Sequence, residues 1–379
     1  MIYFDYNSTV PLQEKIFSKI NLLNIKNLAN PSSVHKAGRN SKKIIEQVRN
    51  KLKEKIKANN YSVIFTSGAT ESNNLAIKGF IKKNKIKKIY TFKTEHLSVL
   101  DVVNDTQVEI FFFETHASGL IDLNKVEEVL KKEQTPFLLS VMFANNETGI
   151  INPIKDISKL VKKYGGFIHS DGVQALGKIP INLDDLNLDL FSVSSHKIGG
   201  LPGTGALLLN KDINIAPELI GGGQEKSLRA GTENILGIFA FGEALENLEE
   251  LIKFSGNQLK EYRDYFERKI KQISNEIKIF GEDCERLPNT SFFSHPSLSS
   301  EIQLVLLDQN GFCVSSGSAC SSGKIEPSHV LKALNVEKKY LNSAIRVSLG
   351  WETTKEQVQS FIDCWSKNCI SKEKLSYAR

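Results

Sequence analysis

Val63-Ile-Phe-Thr-Ser-Gly-Ala-Thr-Glu-Ser72 runs from an apolar, β-branched stretch into a turn of small residues and then into a helical pattern. A strand that hands over to a helix through so short a turn is the building unit of an α/β sheet. The pattern recurs outward from there. Candidate strands are Val63–Thr66, Lys88–Phe92, Val108–Phe113, Phe137–Phe143, Gly166–His169, Leu188–Val193 and Ala206–Leu209. Between them Ser72–Lys83, Leu123–Lys132 and Ile154–Lys163 read as helices. The alternation predicts a mostly parallel, seven-stranded sheet.

Upstream, Ile44, Val48, Leu52 and Ile56 return every four residues and mark an amphipathic helix. Downstream, Thr232 reads as the N-cap of a long helical region that reaches about Ile273 and is broken by Gly256. The break sets the expected division of the chain. Residues 16–256 form a large domain, and residues 1–15 and 257–379 a smaller α+β domain.

The composition narrows the function. At 379 residues, 40% hydrophobic and 24% charged, the chain can build a large core. Lys and Arg exceed Asp and Glu by 49 to 43, much of the excess lying in helical stretches such as Lys42 to Lys57. These read as solvated faces; no basic stripe with interleaved aromatics points to nucleic acid. No apolar run approaches the ~18 residues of a membrane span. The start, Met1-Ile-Tyr-Phe-Asp-Tyr-Asn7, has neither the basic region nor the apolar run of an export signal. Five cysteines, without C-x-x-C or paired Cys/His spacing, argue against a disulfide framework and against a metal site. A reducing cytoplasm is the expected compartment.

In open α/β sheets ligands bind beyond the carboxyl ends of the strands. The groups that follow the apolar runs are Ser67-Gly-Ala-Thr70, Glu95-His96, Asn145-Asn-Glu147, Asp171-Gly-Val-Gln174 and Ser194-Ser-His-Lys197. Five chemically distinct sets at one sheet edge mark a site. Ser67 to Thr70 opens a helix, which serves either as an ordinary cap or as an anion cradle. Asp171, ending an apolar strand, needs a cationic or N–H partner to stay ionised. Lys197 is either a surface lysine or an amine tuned for reaction. Together they meet the three demands of pyridoxal phosphate: an amine, a ring-nitrogen partner and a phosphate cradle. Gly200-Leu-Pro-Gly-Thr-Gly205 lacks the spacing of a nucleotide-binding loop and reads as a turn beside Lys197.

Val314-Ser-Ser-Gly-Ser-Ala-Cys320-Ser-Ser-Gly323 has no core-like periodicity, so Cys320 is expected in an exposed loop, where thiols tend to react. Cys284, Cys313, Cys364 and Cys369 lie in more regular surroundings and read as packing residues. Arg346, in Ser343-Ala-Ile-Arg-Val-Ser-Leu-Gly350, either clamps a carboxylate or faces solvent.

These motifs, with Phe4-Asp-Tyr-Asn7, Asn30-Pro-Ser-Ser-Val-His35 and Arg229-Ala-Gly-Thr232, keep order and spacing over nearly the whole chain. The chain resembles the NifS/IscS-type cysteine desulfurases, in the group with a long Cys-bearing loop. The resemblance implies a PLP-dependent fold type I (aspartate aminotransferase-like) architecture and a homodimer. Lys197 would hold the cofactor covalently, Asp171 would keep its pyridine nitrogen protonated, His96 would stack on its ring, and Gln174 would bond its phenolic oxygen. Ala69, Thr70, Ser194 and His196 would hold the phosphate, with Thr232 from the neighbouring subunit. Asn146 would touch cofactor and substrate, and Arg346 would bind the substrate carboxylate. L-cysteine would displace Lys197, whose freed amine would take the Cα proton. Cys320 would then accept the sulfur as a persulfide, releasing alanine, with His96 or a water serving the remaining proton transfers. The persulfide would pass to an iron–sulfur scaffold, a SufE-like shuttle, a tRNA-thiolation pathway or a nitrogenase system.

Three departures stand out: Ser195 for a commoner glycine, Leu201-Pro202 for a frequent Pro-Lys, and Gln224 for a histidine. None removes a chemical role. The rival readings are another fold type I enzyme, such as an aminotransferase or selenocysteine lyase, and a scaffold without cofactor.

Overall fold

The computed structural model describes residues 1–23, 28–317 and 327–370. Strand β1 (Ile2–Tyr3) opens the chain, and seven strands build the central sheet: β2 (Tyr61–Thr66), β3 (Lys88–Phe92), β4 (Glu109–Phe113), β5 (Leu138–Ser140), β6 (Phe167–Asp171), β7 (Leu190–Ser194) and β8 (Gly205–Asn210). Their order is β2-β8-β7-β6-β5-β3-β4. Four pairs are parallel, while β8 runs antiparallel to both of its neighbours. The mostly parallel seven-stranded sheet read from the sequence is the one observed.

Helices cover both faces because the strands are apolar on both sides. Leu52, Val63 and Leu176 belong to one core cluster, and Ile64, Ile77 and Leu207 to another. In the helix Lys36–Lys55 the buried stripe uses Ile45 with Val48 and Leu52, so the inward residue is Ile45 rather than Ile44. β5 is shorter than its apolar run. Beyond Ser140 the chain leaves regular pleating, yet the N–H groups of Val141 and Phe143 still bond to His169 and Asp171 carbonyls of β6.

Two details differ from the sequence reading. The N-cap at the start of the long helical region is Asn234, whose side chain accepts from the Gly237 N–H, whereas Thr232 is exposed two residues earlier. Gly256 does not break the helix. It lies in a π turn, Ser255–Leu259, that joins the helices Leu248–Phe254 and Lys260–Ile273 without interruption. A Cβ at Gly256 would meet nothing within 4 Å, so packing does not require a glycine there.

A second core gathers around Trp365, Phe361, Phe293 and Phe266, and includes Phe4 from the N-terminal segment. There β9 (Lys278–Ile279), β10 (Thr290–Ser294) and β12 (Ala344–Ser348) form an antiparallel sheet, with β10 in the middle. β11 (Phe312–Cys313) pairs in parallel with β1. Among the described residues no helix is long and apolar enough to cross a membrane.

Candidate active site

A cavity of about 610 Å³ opens at the carboxyl ends of the central strands, closed on one side by β12 and the N-terminal segment. It gathers Ala69, Thr70, His96, Asn146, Asp171, Gln174, Ser194, His196, Lys197 and Arg346, ten of the twelve residues singled out from the sequence. Thr232 is exposed and does not line it. Cys320 lies outside the described residues; Gly317, three positions earlier, lines the cavity.

Each side chain is placed by a local cause. Lys197 ends a short 3-10 turn, Ser195–Lys197, directly after β7. Its Nζ donates to the carbonyls of Asn7 and Ser8, each at 2.6 Å. Asp171 ends β6, buried, and each of its carboxylate oxygens accepts one bond. Oδ1 accepts from the Val173 N–H at 3.0 Å and Oδ2 from Asn73 Nδ2 at 2.8 Å. Those two donors fix the orientation of the carboxylate at the end of the strand.

Asn73 also donates to Ser98 Oγ at 2.9 Å, and that hydroxyl lies 2.8 Å from His96 Nδ1. Since the Ser98 N–H donates to the same nitrogen, Nδ1 is the acceptor and the neutral imidazole carries its proton on Nε2. Burial pushes His96 below its ordinary value; Asp171 opposes the shift and Lys197 adds to it. His196, bonded through Nδ1 to Thr9 Oγ1 at 3.1 Å, is pushed down to about 4, first by burial and then by Lys197. Both rings are neutral near pH 7.

The helical run that starts at Ala69 begins three residues earlier than its apolar pattern does, so Ala69 and Thr70 form its first turn. Backbone N–H groups there have no intrahelical acceptor. Gly205 keeps the turn accessible: a Cβ on it would lie 2.7 Å from the Cα and carbonyl carbon of Gly68. Ser194, His196 and Gly203 complete the wall.

Across the cavity Arg346 is buried in β12. Nη1 donates to the Asn146 carbonyl at 3.0 Å, and Nη2 to Asp5 Oδ1 and Ser8 Oγ, each at 2.7 Å. Its Nε and the Oδ1 of Asn146 are buried without a partner. Both residues line the cavity, and an unmet polar atom on each is what a site awaiting a polar ligand presents. The Ser195 hydroxyl, one of the three departures, is buried and also without a partner.

Several residues in this arrangement were not singled out from sequence. Asn7 accepts through its carbonyl from Lys197 and from Gln174 Nε2, and through Oδ1 from Lys178. Lys178 is buried behind Gln174, and burial, reinforced by Lys197 and Arg346, pushes it well below its ordinary value. Asn7 pairs across more than 160 positions, which no periodicity announces. Lys178 sits four residues after Gln174, a helical spacing that gave a weak hint.

The donor set fits pyridoxal phosphate: an amine, a carboxylate that accepts from two fixed donors, an anion cradle with room for backbone approach, and an arginine with an unmade bond. Residues 2–361 match the class-V aminotransferase family. The chain is 40% identical over 367 residues to the cysteine desulfurase IscS of Dictyoglomus turgidum, covering 96% of this chain and 93% of that one. It superposes on the X-ray structure of a NifS-like protein from Rickettsia africae with a TM-score of 0.89 and 35% identity, over 97% and 99% of the two chains. SspA in complex with cysteine gives 0.80 and 29%, over 92% and 99%.

Proposed function

The chain belongs to the class-V aminotransferase family and is a pyridoxal-phosphate-dependent cysteine desulfurase, and we propose how its own residues share that reaction. The observation that carries the proposal is the meeting of Lys197, Asp171, the Ser67–Thr70 turn and Arg346 around one cavity. When bound, pyridoxal phosphate supplies an electron sink that lets the substrate Cα lose its proton.

Lys197 would hold the cofactor covalently, and its freed amine would take the Cα proton. Asp171 keeps the pyridine nitrogen protonated, and Asn73 and Val173 keep Asp171 in place. His96 would pack on the ring face and Gln174 would donate to the phenolic oxygen. Ala69, Thr70, Ser194 and His196 hold the phosphate, joined by Thr232 of the partner subunit in a homodimer. Arg346 and Asn146 would orient L-cysteine, the Arg346 guanidinium binding the substrate carboxylate. Cys320 attacks the substrate sulfur. An S–S bond forms as the C–S bond breaks, the electrons stay on the substrate Cβ, and protonation of Cβ together with return of a proton to Cα gives L-alanine. The persulfide on Cys320 passes to a protein acceptor, an iron–sulfur scaffold or a SufE-like shuttle, in the cytoplasm.

The proposed domain division keeps its boundary at residue 256, inside the continuous helical run. Residues 16–256 carry the cofactor, while 1–15 and 257–379 bring Arg346 and Cys320 to it. Two variants test the assignment. Lys197→Ala should lose the yellow absorbance of the bound cofactor along with turnover. Cys320→Ser should keep the absorbance and stop sulfide release from L-cysteine. Sulfide release at the wild-type rate by Cys320→Ser would defeat the thiol mechanism, and an unchanged spectrum in Lys197→Ala would defeat the lysine assignment.

A further inference from the structure

Glu71 stands at an unexpected place for an acid. It lies in the first turn of the helical run that would hold the cofactor phosphate, and it lines the cavity beside Ser67, Ala69 and Thr70. A bare carboxylate there would repel a phosphate dianion through a partly buried medium. Both of its oxygens are occupied. Oε2 accepts from the Ser67 N–H at 2.7 Å and from Arg229 Nη2 at 3.2 Å, and Oε1 accepts from Arg229 Nε at 2.8 Å. Burial opposes ionisation of Glu71, and the bonds from Arg229 and Ser67 outweigh it, so the acid stays charged and paired.

Arg229 is delivered to that position by a strained segment. Glu225, Lys226 and Ser227 have φ values of 45°, 59° and 63°, a left-handed run of three residues none of which is glycine. Such strain persists only where the surroundings over-determine it. Here Glu225 is buried and makes a two-bond pair with Arg49, both bonds 2.9 Å, and also accepts from the Phe65 N–H at 2.9 Å. The segment is therefore anchored to β2, the strand that leads into the cradle.

We propose that Arg229 is a positioning residue for the cofactor phosphate: by neutralising Glu71 it lets one acid fix the Ser67 backbone without expelling the anion beside it. The inference rests on the pyridoxal phosphate reading above. It predicts a charge-specific pattern. Arg229→Gln exposes the Glu71 charge and weakens cofactor binding about tenfold or more, the scale of one uncompensated charge at a partly buried site. Glu71→Gln can still accept from Ser67 and binds the cofactor at least as well as wild type. The double variant recovers most of the loss, because no net charge remains to repel the phosphate.

The test strips the cofactor from each of the four proteins and titrates it back by absorbance, with pyridoxal, which lacks the phosphate, as a second probe. The expected result is the rescue pattern for pyridoxal phosphate and no difference among the four for pyridoxal. If Glu71→Gln weakens binding as much as Arg229→Gln and the double variant is no better, the pair is merely structural and the inference falls. The same holds if pyridoxal binding drops in parallel. A wild-type protein that takes up no pyridoxal phosphate would overturn the functional reading itself.

Discussion

His169 lies in β6 with no solvent exposure, its Nδ1 2.8 Å from Ser140 Oγ and its Nε2 3.0 Å from Ser192 Oγ. Burial pushes it from 6.5 down to about 4, against a smaller upward pull from Asp171. As pH falls, the unfolded chain takes up this proton before the folded one does. His169 therefore favours folding in full above pH 6.5 and loses that contribution as pH drops toward 4, an effect of at most about 3 kcal/mol. Urea unfolding of wild type and His169→Asn should show a stability difference that shrinks across that window; a flat difference would contradict the account. Glu95 is buried too, with Oε1 accepting from the Met142 N–H at 2.8 Å, and burial holds its carboxyl well above the usual range. The neutral replacement Glu95→Gln should then leave stability within about 1 kcal/mol of wild type by the same measurement. At this scale the sequence showed which residues end strands, and so Asp171, Lys197 and His96. It did not show Asn73 or Asn7, because partners brought together by tertiary folding leave no local pattern.

The cradle depends on two elements meeting backbone to backbone. β8 pairs antiparallel with β2, setting Gly205 opposite Thr66 and beside Gly68. Gly205→Ala should push the turn outward, costing about 1–3 kcal/mol of stability and weakening cofactor uptake. Thermal unfolding and cofactor titration together check both. A variant with normal cofactor affinity would show that the close approach is incidental. Strands and helices were legible where a single period held, as in β3 and in the helix Ile154–Lys163, whose ends match their apolar patterns. Legibility failed at the edges of elements. Gly256 lies in a π turn that carries the helix on, and the helix at Ala69 starts in small residues that carry no hydrophobic signal.

The site stands between two cores. Arg346 and Asn289 belong to the part built around Trp365, while Lys197 and Asp171 belong to the central sheet. Asn7 joins them, bonding to Asn146, Thr290, Asn289 and Lys178. Trp365 is fully buried and donates to Gln303 Oε1 at 2.9 Å. Trp365→Ala should cost about 3–5 kcal/mol and lower the unfolding midpoint; an unchanged midpoint would mean that the second core does not support the fold. The α/β sheet was readable from the alternation of strands and helices and the fold type from the likeness to NifS/IscS-type enzymes, whereas the reaction needed Cys320, which by itself is one cysteine of five in a Ser/Gly stretch. The Lys197–Asp171 site gives that thiol a substrate, and the likeness to cysteine desulfurases gives the transfer its direction. The most direct measurement is peptide mass spectrometry after brief exposure of the purified protein to L-cysteine. An added sulfur on Cys320, with L-alanine formed and none of the label in Lys197→Ala, is the predicted result; sulfur carried on Cys284, Cys313, Cys364 or Cys369 instead, or on no cysteine while alanine accumulates, would contradict it.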